Sequence, residues 1–413
     1  MKIGDFARKF NQNVSTVRFY VNNGLLLPKI VNGRYDFDSQ CVKDMERIMK
    51  YKTFHFTLEE IQLLFFMEKA SGFKDEVIVQ ICAEILRNKK EELIEYREKL
   101  SDYLQEIDEE LSSLSLSPDV KEGTGVPFSF IPDLYCPKCQ VPLKLEDARL
   151  MHNSLDKGRL WCDCGYEAHI EEGIIKLKDC VEETPFKAFE NVESVISMKE
   201  QFSPSYRLLI GKAYQQIYQN AYYDAEEAKH VLFGPFTFNF LLEYLDRLGT
   251  LNTYIIFDPS VKRMEKLKKY LSSSSAKIVF IAGLASQLPL RHRSCNLYID
   301  DYSTVNHLFT YSKYPCEEIG PLIKKNGIVT GIFSVYDKAP ETLRNFKEFH
   351  PQFPFELMKL FHLRQAWERS GFEMYEEKEM GITTGNEIHS NMGVLGEQIG
   401  VWTYSLKKTD RRK

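Results

Sequence analysis

The chain opens with MKIGDFARKF (1–10), NQN (11–13) and VSTVRFYVNNGLL (14–26), and PKIVNGRYDFD (28–38) completes the stretch that decides its fold. Apolar residues recur at helical spacing on both sides of NQN, which predicts two short helices separated by a polar break. Ser15 is expected to cap the second helix through its hydroxyl. Two short helices joined by a tight turn form a helix-turn-helix, whose second helix can enter the major groove of DNA.

The residues after Pro28 predict a small hairpin. Two apolar residues (30–31) precede Asn32-Gly33, and Arg34 begins the returning strand. Asn-Gly is the strongest short hairpin signal because both residues tolerate positive φ. A hairpin that follows a helix-turn-helix is a wing, and Arg34 near its tip could reach a backbone phosphate.

These motifs, followed by FTLEEIQLLF (56–65), resemble the MerR family of bacterial transcriptional regulators. The resemblance implies a winged helix-turn-helix, a second helical pair and a long dimerisation helix, in a protein that binds double-stranded promoter DNA. The positions that match the family's DNA-contacting residues are Ser15, Thr16, Arg18, Tyr20, Arg34 and Tyr35. Arg34 and Tyr35 stand in the reverse of the family's usual Tyr-Arg order. The alternative interpretation is a generic helical domain with exposed arginines.

Length and charge agree with a small DNA-binding head on a larger chain. A chain of 413 residues is too long for a single core, so two to four domains are expected. The net charge is −5, yet residues 1–50 carry +4 and the remainder −9, and phosphate contact requires such a basic region. No signal peptide is visible and no apolar run approaches the ~20 residues that span a bilayer. We therefore expect a cytoplasmic protein with no membrane partner.

Residues 76–114 predict one long helix. Leu or Ile recurs every seven residues from Leu86 to Leu114, which over four heptads indicates a coiled coil. Such a helix would pair two heads into a homodimer that binds a pseudo-palindromic site. The alternative is a long surface helix packed on its own chain. Helices predicted at 39–50 and 57–69, the second with a Thr57–Glu60 capping box, complete a DNA-binding domain over 1–75.

Ser, Gly and Pro are frequent after the long helix, and we predict a linker over 115–133. Two cysteine pairs follow, Cys-x₂-Cys and Cys-x-Cys, separated by 22 residues. Four thiolates in two tight turns suit a tetrahedral structural zinc ion. A dithiol redox pair and a cluster without metal are the alternatives, and His152 and His169 are spare ligands. The predicted zinc ligands are Cys136, Cys139, Cys162 and Cys164.

The segment CPKC-x-x-PL, the second cysteine pair and the ending EEGIIKL resemble the small zinc ribbons that accompany methyltransferases. The resemblance covers about 40 residues and implies a separate zinc-ribbon module over 134–178. The second pair is shorter than the ribbon's usual Cys-x₂-Cys.

Apolar runs alternate with amphipathic stretches over 229–406, within a predicted domain at 185–413. This alternation predicts a mostly parallel, doubly wound Rossmann-like sheet, which binds ligands beyond the carboxyl ends of its strands. EEIGPLIKK (317–325) is predicted to be helical. The predicted strands are KHVLFG (229–234), TYIIFD (253–258), AKIVFIA (276–282), NLYIDD (296–301), GIVTGIFSV (327–335) and IGVWTYSL (399–406).

The order of these segments resembles the class I S-adenosylmethionine-dependent methyltransferases of the small-molecule type. The resemblance implies that cofactor as a ligand and assigns it to Gly234, Asp258, Ala285 and Ser286. The sequence departs from the family at four positions. Phe236 and Phe238 stand where glycines are expected, Leu284 replaces an acidic residue and Asn296 an aspartate. Asp258 has the alternative role of capping the helix that follows it.

The sequence thus predicts a multidomain α + α/β protein: a winged helix-turn-helix head, a coiled-coil helix, a zinc ribbon and a methyltransferase-type domain. The main hypothesis is a dimeric transcriptional regulator whose C-terminal domain senses a small-molecule effector. We assign no catalytic residue and do not expect an enzyme. An active methyltransferase with a DNA-binding head is the rival hypothesis, and a structural scaffold in the C-terminal half is the third.

Overall fold

The computed structural model describes residues 1–71, 75–113, 125–151, 153–182, 202–222, 230–249, 251–272, 274–349, 351, 354–384 and 393–409. The chain divides into two compact units, Met1–Leu116 (unit 1) and Ser117–Lys413 (unit 2). Among the described helices, none combines the length and the apolar composition that crossing a membrane requires.

Unit 1 has the predicted order of helix, turn, helix, hairpin and further helices. One hydrophobic core holds it together, with Phe6, Leu25, Phe37 and Met45 almost completely buried. The elements are α1 (Ile3–Lys9), α2 (Val14–Asn22), β1 (Lys29–Val31), β2 (Arg34–Asp36), α3 (Ser39–Thr53), α4 (Leu58–Ser71) and α5 (Glu76–Ser113).

Two local predictions for unit 1 are confirmed. Asn32 and Gly33 both adopt positive φ (50° and 72°), and the hairpin pairs Lys29 with Asp36 across them. The capping box is formed, because the Thr57 amide donates to the Glu60 carboxylate at 2.7 Å. The Glu60 amide in turn donates to the Thr57 hydroxyl at 3.2 Å.

The predicted cap of α2 is wrong. Asn13 occupies the N-cap position with extended backbone (φ −74°, ψ 149°), and its side chain makes no capping hydrogen bond. The helix therefore begins at Val14, and Ser15 lies within its first turn instead of before it.

Unit 2 is built on one large mixed sheet. Its twelve described strands are β3 (Val126–Pro127), β4 (Lys144–Met151), β5 (Ser154–Trp161), β6 (Glu167–Glu171), β7 (Ile174–Leu177), β8 (His230–Phe233), β9 (Thr253–Asp258), β10 (Lys277–Ala282), β11 (Cys295–Asp300), β12 (Ile323–Lys338), β13 (Phe372–Thr384) and β14 (Gln398–Lys408). Their order in the sheet is β13-β14-β12-β11-β8-β9-β10-β7-β6-β5-β3, with β4 also paired to β5.

The central strands β10, β9, β8, β11 and β12 are parallel, as the sequence predicts. Along β9, Ile255 and Phe257 enter one hydrophobic cluster, while Tyr254 and Ile256 enter the other. Alternate side chains are thus buried on both faces, which is the pattern of a doubly wound sheet. The described helices of this unit are α6 (Pro204–Tyr222), α7 (Phe238–Tyr244), α8 (Val261–Tyr270), α9 (Ser303–Tyr311), α10 (Cys316–Ile319), α11 (Pro340–Phe349) and α12 (Leu360–Arg369).

The four strands of the cysteine-containing segment, β4 to β7, belong to the same sheet. β7 pairs in parallel with β10, with Ile175 opposite Ile281. Gly283 follows β10 at this seam, and a Cβ there would lie 2.5–2.6 Å from Leu177. Strands β4 to β7 therefore extend the doubly wound sheet at its β10 edge. Residues 125–133, inside the predicted linker, form β3 and a 3₁₀ turn whose Phe130 is buried.

The predicted helix at 317–325 is wrong in its second half. α10 ends at Ile319, a 3₁₀ turn spans Gly320–Leu322 and β12 begins at Ile323. Pro321 lacks the amide hydrogen that a continuing helix would use, and the apolar residues beyond it pair with β11.

Candidate functional site

The exposed face of α2 is the candidate DNA-binding surface of unit 1. Ser15 and Arg18 are exposed and Thr16 is half-buried. Phe19, which the sequence interpretation did not select, is 47% exposed on the same helix. Tyr20 is in the core instead, and burial raises the pKa of its phenol. The spacing of Tyr20 three residues after the buried Val17 could have placed it on the inner face.

The wing presents one basic side chain at its tip. Arg34 is exposed, whereas Tyr35 is half-buried with its ring 6.2 Å from that of Phe37. The amino group of Met1 pairs with the Asp36 carboxylate and donates to the Phe37 carbonyl at 2.9 Å. Met1 therefore holds the base of the wing, since the Phe37 amide also donates to its carbonyl at 2.9 Å, and Arg34 extends from a tethered hairpin.

A buried lysine, paired with two more exposed glutamates, joins the head to the long helix α5. Lys89 is 6% exposed and lies 3.2 Å from Glu60 of α4 and 2.5 Å from Glu92. Its ammonium also lies 5.3 Å from the centre of the Phe56 ring. An apolar stripe is exposed along α5 within unit 1, formed by Leu86, Leu100, Leu104, Ile107 and Leu111.

The four predicted zinc ligands of unit 2 meet at one point. Their sulfur atoms lie within 4.8 Å of one another, with Cys136 3.5 Å from both Cys139 and Cys164, and Cys139 3.6 Å from Cys162. Tetrahedral zinc with Zn–S bonds near 2.3 Å needs sulfurs about 3.8 Å apart, so this donor set fits the ion. His169 is exposed beside Glu167, and His152 lies outside the described residues.

Each cysteine pair sits on a backbone-bonded turn. The Cys136 amide donates to the Val141 carbonyl at 2.9 Å, and the Cys162 amide to the Tyr166 carbonyl at 3.0 Å. Gly165 has φ +84°, a conformation that favours glycine, and closes the second turn. Backbone hydrogen bonds therefore set the shape of both turns, which bring the four thiols together.

The cysteine turns are bonded to the loop between β10 and β11. The Tyr166 hydroxyl donates to the Gln287 carbonyl at 2.9 Å, and the Tyr135 amide to the Pro289 carbonyl at 3.1 Å. The His292 amide donates to the Gln140 side chain at 2.7 Å. The metal site and this loop consequently share one hydrogen-bonded structure.

A cavity of about 400 Å³ opens where β8, β9, β10 and β11 end. This is the edge at which doubly wound sheets bind ligands. Its lining is mainly apolar and includes a few acidic and neutral polar groups. The lining residues are Asp179, Val181, Pro235, Phe236, Phe257, Pro259, Gly283, Leu284, Ala285, Tyr298, Ser303, Asn306, His307, Tyr311, Pro315 and Glu318.

Gly234, a predicted cofactor residue, is packed against protein atoms. A Cβ at this position would lie 2.4 Å from both the Ser303 and the Tyr298 hydroxyl oxygens. The Ser303 hydroxyl donates to the Pro235 carbonyl at 2.7 Å. The glycine therefore allows the loop after β8 to approach the start of α9.

Asp258, the second predicted cofactor residue, is 1% exposed, and its carboxylate forms an ion pair with an arginine. Its Oδ1 atom accepts from Nε of Arg263 at 3.0 Å and from the Ser260 amide at 2.8 Å. The Arg263 guanidinium lies 4.3 Å from the centre of the Phe236 ring, and Phe238 points into the core. The Oδ2 atom of Asp258 is buried without a hydrogen-bond partner among the described residues, so only one oxygen of this carboxylate is held by the protein.

The other two predicted cofactor residues lie in the 3₁₀ turn Ala285–Gln287 after β10. Ala285 lines the cavity, whereas Ser286 is exposed and is not among the cavity's lining residues. The structure thus brings Ala285 to the cavity and leaves Gly234, Asp258 and Ser286 outside its lining.

Two buried aspartates end β11, and the sequence interpretation assigned neither a role. Asp300 accepts from the Tyr404 and Thr304 hydroxyls, and Asp301 accepts from the Tyr214 hydroxyl at 3.0 Å. Burial raises the pKa of Asp301 to about 7. Since these hydrogen bonds hold the turn into α9, they position His307 and its neighbours at the cavity.

Solved structures similar to this chain include the MccD protein, at 12% sequence identity and a TM-score of 0.40, covering 48% of this chain and 98% of that one. The YcgJ protein from Bacillus subtilis has 10% identity and a TM-score of 0.37, with coverage of 48% and 99%. A SAM-dependent methyltransferase from Aquifex aeolicus has 13% identity and a TM-score of 0.35, with coverage of 51% and 97%.

No curated protein matches the chain. Residues 1–66 match the family model described as MerR HTH family regulatory protein. This range contains the helix-turn-helix, the wing, α3 and most of α4. The head of the chain is therefore a MerR-type helix-turn-helix region.

Proposed function

We propose that the protein is a dimeric, DNA-binding transcriptional regulator whose unit 2 acts as the effector-binding domain. The observation that carries the proposal is the intact head: an exposed face on α2, a tethered wing with Arg34 and a match to a regulator family. Arg18 and Arg34 are the basic groups that would contact the phosphates or base edges of a promoter.

Pairing through α5 would make the regulator a homodimer. The exposed stripe from Leu86 to Leu111 supports this proposal, because isolated helices seldom leave five large aliphatic side chains in water. Two heads joined in this way would bind two half-sites of one operator.

Effector binding to unit 2 would act through the dimer. A ligand changes the affinity for DNA only if it binds one arrangement of the two heads more tightly than another. The cavity at the strand ends supports a ligand role for unit 2, and the four cysteines support a structural zinc ion beside it.

An active S-adenosylmethionine-dependent methyltransferase is the second candidate, favoured by the doubly wound sheet. We infer that methyl transfer is lost. Asp258 is engaged by Arg263, and Gly234 is packed against Tyr298 and Ser303, so the two positions that the family uses for the cofactor serve the protein's own packing.

For the head, we expect Arg18→Ala to weaken binding of the full-length protein to its own upstream DNA by about 10- to 100-fold, as one lost base or phosphate contact costs about 1–3 kcal/mol. The measurement is a gel shift or fluorescence anisotropy titration at low salt. Arg87→Ala, which alters an exposed arginine of α5, is the matched control and should bind like the wild type. Failure of the wild-type protein to shift any upstream fragment would contradict the proposal.

For unit 2, calorimetric titration with S-adenosylmethionine and with S-adenosylhomocysteine should give no binding heat at micromolar concentrations. The reason is the loss of Asp258 as a ribose ligand. Micromolar binding of either compound would instead restore the methyltransferase candidate and justify an assay with labelled methyl groups.

A further inference from the structure

The chemistry of the cavity lining in unit 2 is specific enough to identify a ligand class. This inference rests on the proposed effector role of unit 2 and deepens it. The segment after β7 and the loops after β8, β9 and β10 each contribute to the wall, as do α9 and the start of α10. The ribbon strands and the doubly wound sheet therefore build the site jointly.

The charged groups on the wall are acidic. Asp179 and Glu318 line the cavity, and no lysine or arginine stands among the lining residues that the structure describes. Lys313 pairs with Glu318 at 2.7 Å, and Arg263 lies behind the ring of Phe236. Glu318 thus has a partner, and Asp179 is the carboxylate best placed to serve a ligand.

His307, the histidine among the described lining residues, does not offset this negative charge. Burial lowers the pKa of His307 to about 4, so its imidazole is neutral at pH 7. Its Nε2 atom is buried without a hydrogen-bond partner among the described residues. A neutral imidazole nitrogen can accept an N–H group from a ligand.

The carboxylate of Asp179 is held in place by the protein. Its Oδ1 atom accepts the Leu284 amide at 3.3 Å, which leaves lone pairs on both oxygens for further donors. Burial is the largest cause that raises the pKa of Asp179, and the nearby Glu318 raises it further. A cation in the cavity would offset both the burial of the Asp179 carboxylate and its repulsion by Glu318.

The remaining wall suits a flat apolar body. The rings of Phe236, Phe257, Tyr298 and Tyr311 face the same space, together with prolines and short aliphatic side chains. Burial raises the pKa of both tyrosines, so the phenols remain neutral. Aromatic faces attract cations as well as planar apolar groups.

We propose that this cavity binds a small organic cation, a protonated amine on a flat apolar body, with Asp179 as the counter-ion and His307 as an N–H acceptor. An anion of the same size would meet two carboxylates and no positively charged side chain among the described lining residues. A neutral molecule would gain the apolar contacts but not the charge pairing.

The test uses three probes of one shape: 1-naphthylmethylamine, 1-naphthalenemethanol and 1-naphthoate. Titrated calorimetrically into the full-length protein at pH 7 and physiological salt, the amine should bind at least tenfold more tightly than the alcohol, and the carboxylate most weakly. Equal binding of amine and alcohol, preference for the carboxylate, or no binding of any probe would overturn the proposal.

Two variants test whether Asp179 is the residue that makes the cavity prefer the cationic probe. Asp179→Asn retains an acceptor for the Leu284 amide. It should lower the affinity for the amine at least fivefold while changing the affinity for the alcohol less than twofold. Glu317→Gln alters an exposed neighbour outside the cavity lining and should leave the affinities for all three probes unchanged. Persistence of the amine preference in Asp179→Asn would contradict the assignment. If that variant does not fold, the ranking of the three probes on the wild-type protein still decides whether the cavity selects a cation.

The outcome is separable from that of the proposed function. The titration contains no DNA, so failure of the probes leaves the DNA-binding result unaffected. Conversely, a head that does not bind DNA leaves the probe ranking intact.

Discussion

Replacing Arg263 with methionine is expected to lower the free energy of unfolding of unit 2 by roughly 3–5 kcal/mol, the usual cost of removing one member of a buried ion pair. Arg263 and Asp258 are 3% and 1% exposed, and the arginine donates to the carboxylate at 3.0 Å. Without it, the carboxylate would remain buried with the Ser260 amide as its remaining donor among the contacts given above. The measurement is urea unfolding followed by tryptophan fluorescence. The three tryptophans, Trp161, Trp367 and Trp402, all lie in unit 2.

Two further variants show whether the loss comes from the ion pair. Arg247→Met removes an exposed guanidinium that lies 5.9 Å from the Tyr244 ring, and it should change stability by less than about 0.5 kcal/mol. The double variant Asp258→Asn with Arg263→Met should recover at least half of the loss, because it leaves no unpaired buried charge. A single Arg263→Met variant as stable as the wild type would mean that Asp258 is not held as described.

The Asp258–Arg263 pair shows which features of unit 2 can be predicted from the sequence and which cannot. TYIIFD predicted β9 with the correct ends, because a continuous apolar run closed by Asp258-Pro259 is a strong local signal. Nothing local shows that Arg263, five residues later, turns back onto the carboxylate. That contact depends on the helix α8 packing beside the strand, and it gives one oxygen of Asp258 a structural partner.

Long-range pairing was equally inaccessible from sequence. The cysteine spacing identified the four thiols that converge, since each pair is a local turn. Pairing of β7 with β10 joins residues about 106 positions apart, such as Ile174 and Phe280, and no local pattern encodes it. The cavity residue Asp179 follows β7, so its place at the strand ends could not be anticipated. By contrast, the burial of Tyr20 did have a signal, namely its spacing from Val17.

Removing a cysteine from the metal site is expected to have the other large effect. Cys136→Ser should abolish retention of one zinc ion per chain after dialysis and destabilise unit 2 by at least about 4 kcal/mol, since structural zinc contributes roughly 10–16 kcal/mol in isolated zinc fingers. Metal analysis and urea unfolding give the two readouts. Cys180→Ser, a half-buried cysteine outside the cluster, is the matched control and should keep both the zinc and the stability.

Loss of zinc should also destabilise the hydrogen bonds between the cysteine turns and the loop that joins β10 to β11. Hydrogen exchange should accelerate at the Tyr135 amide, which donates to Pro289, and at the His292 amide, which donates to Gln140. These bonds connect the cysteine turns to the loop that follows the cavity residues Leu284 and Ala285, so zinc removal should also weaken the binding of cationic probes. Faster exchange confined to the turns, with unchanged probe affinity, would show that the metal supports the ribbon alone. Wild-type protein that carries no zinc and unfolds at the same urea concentration as Cys136→Ser would exclude a structural metal.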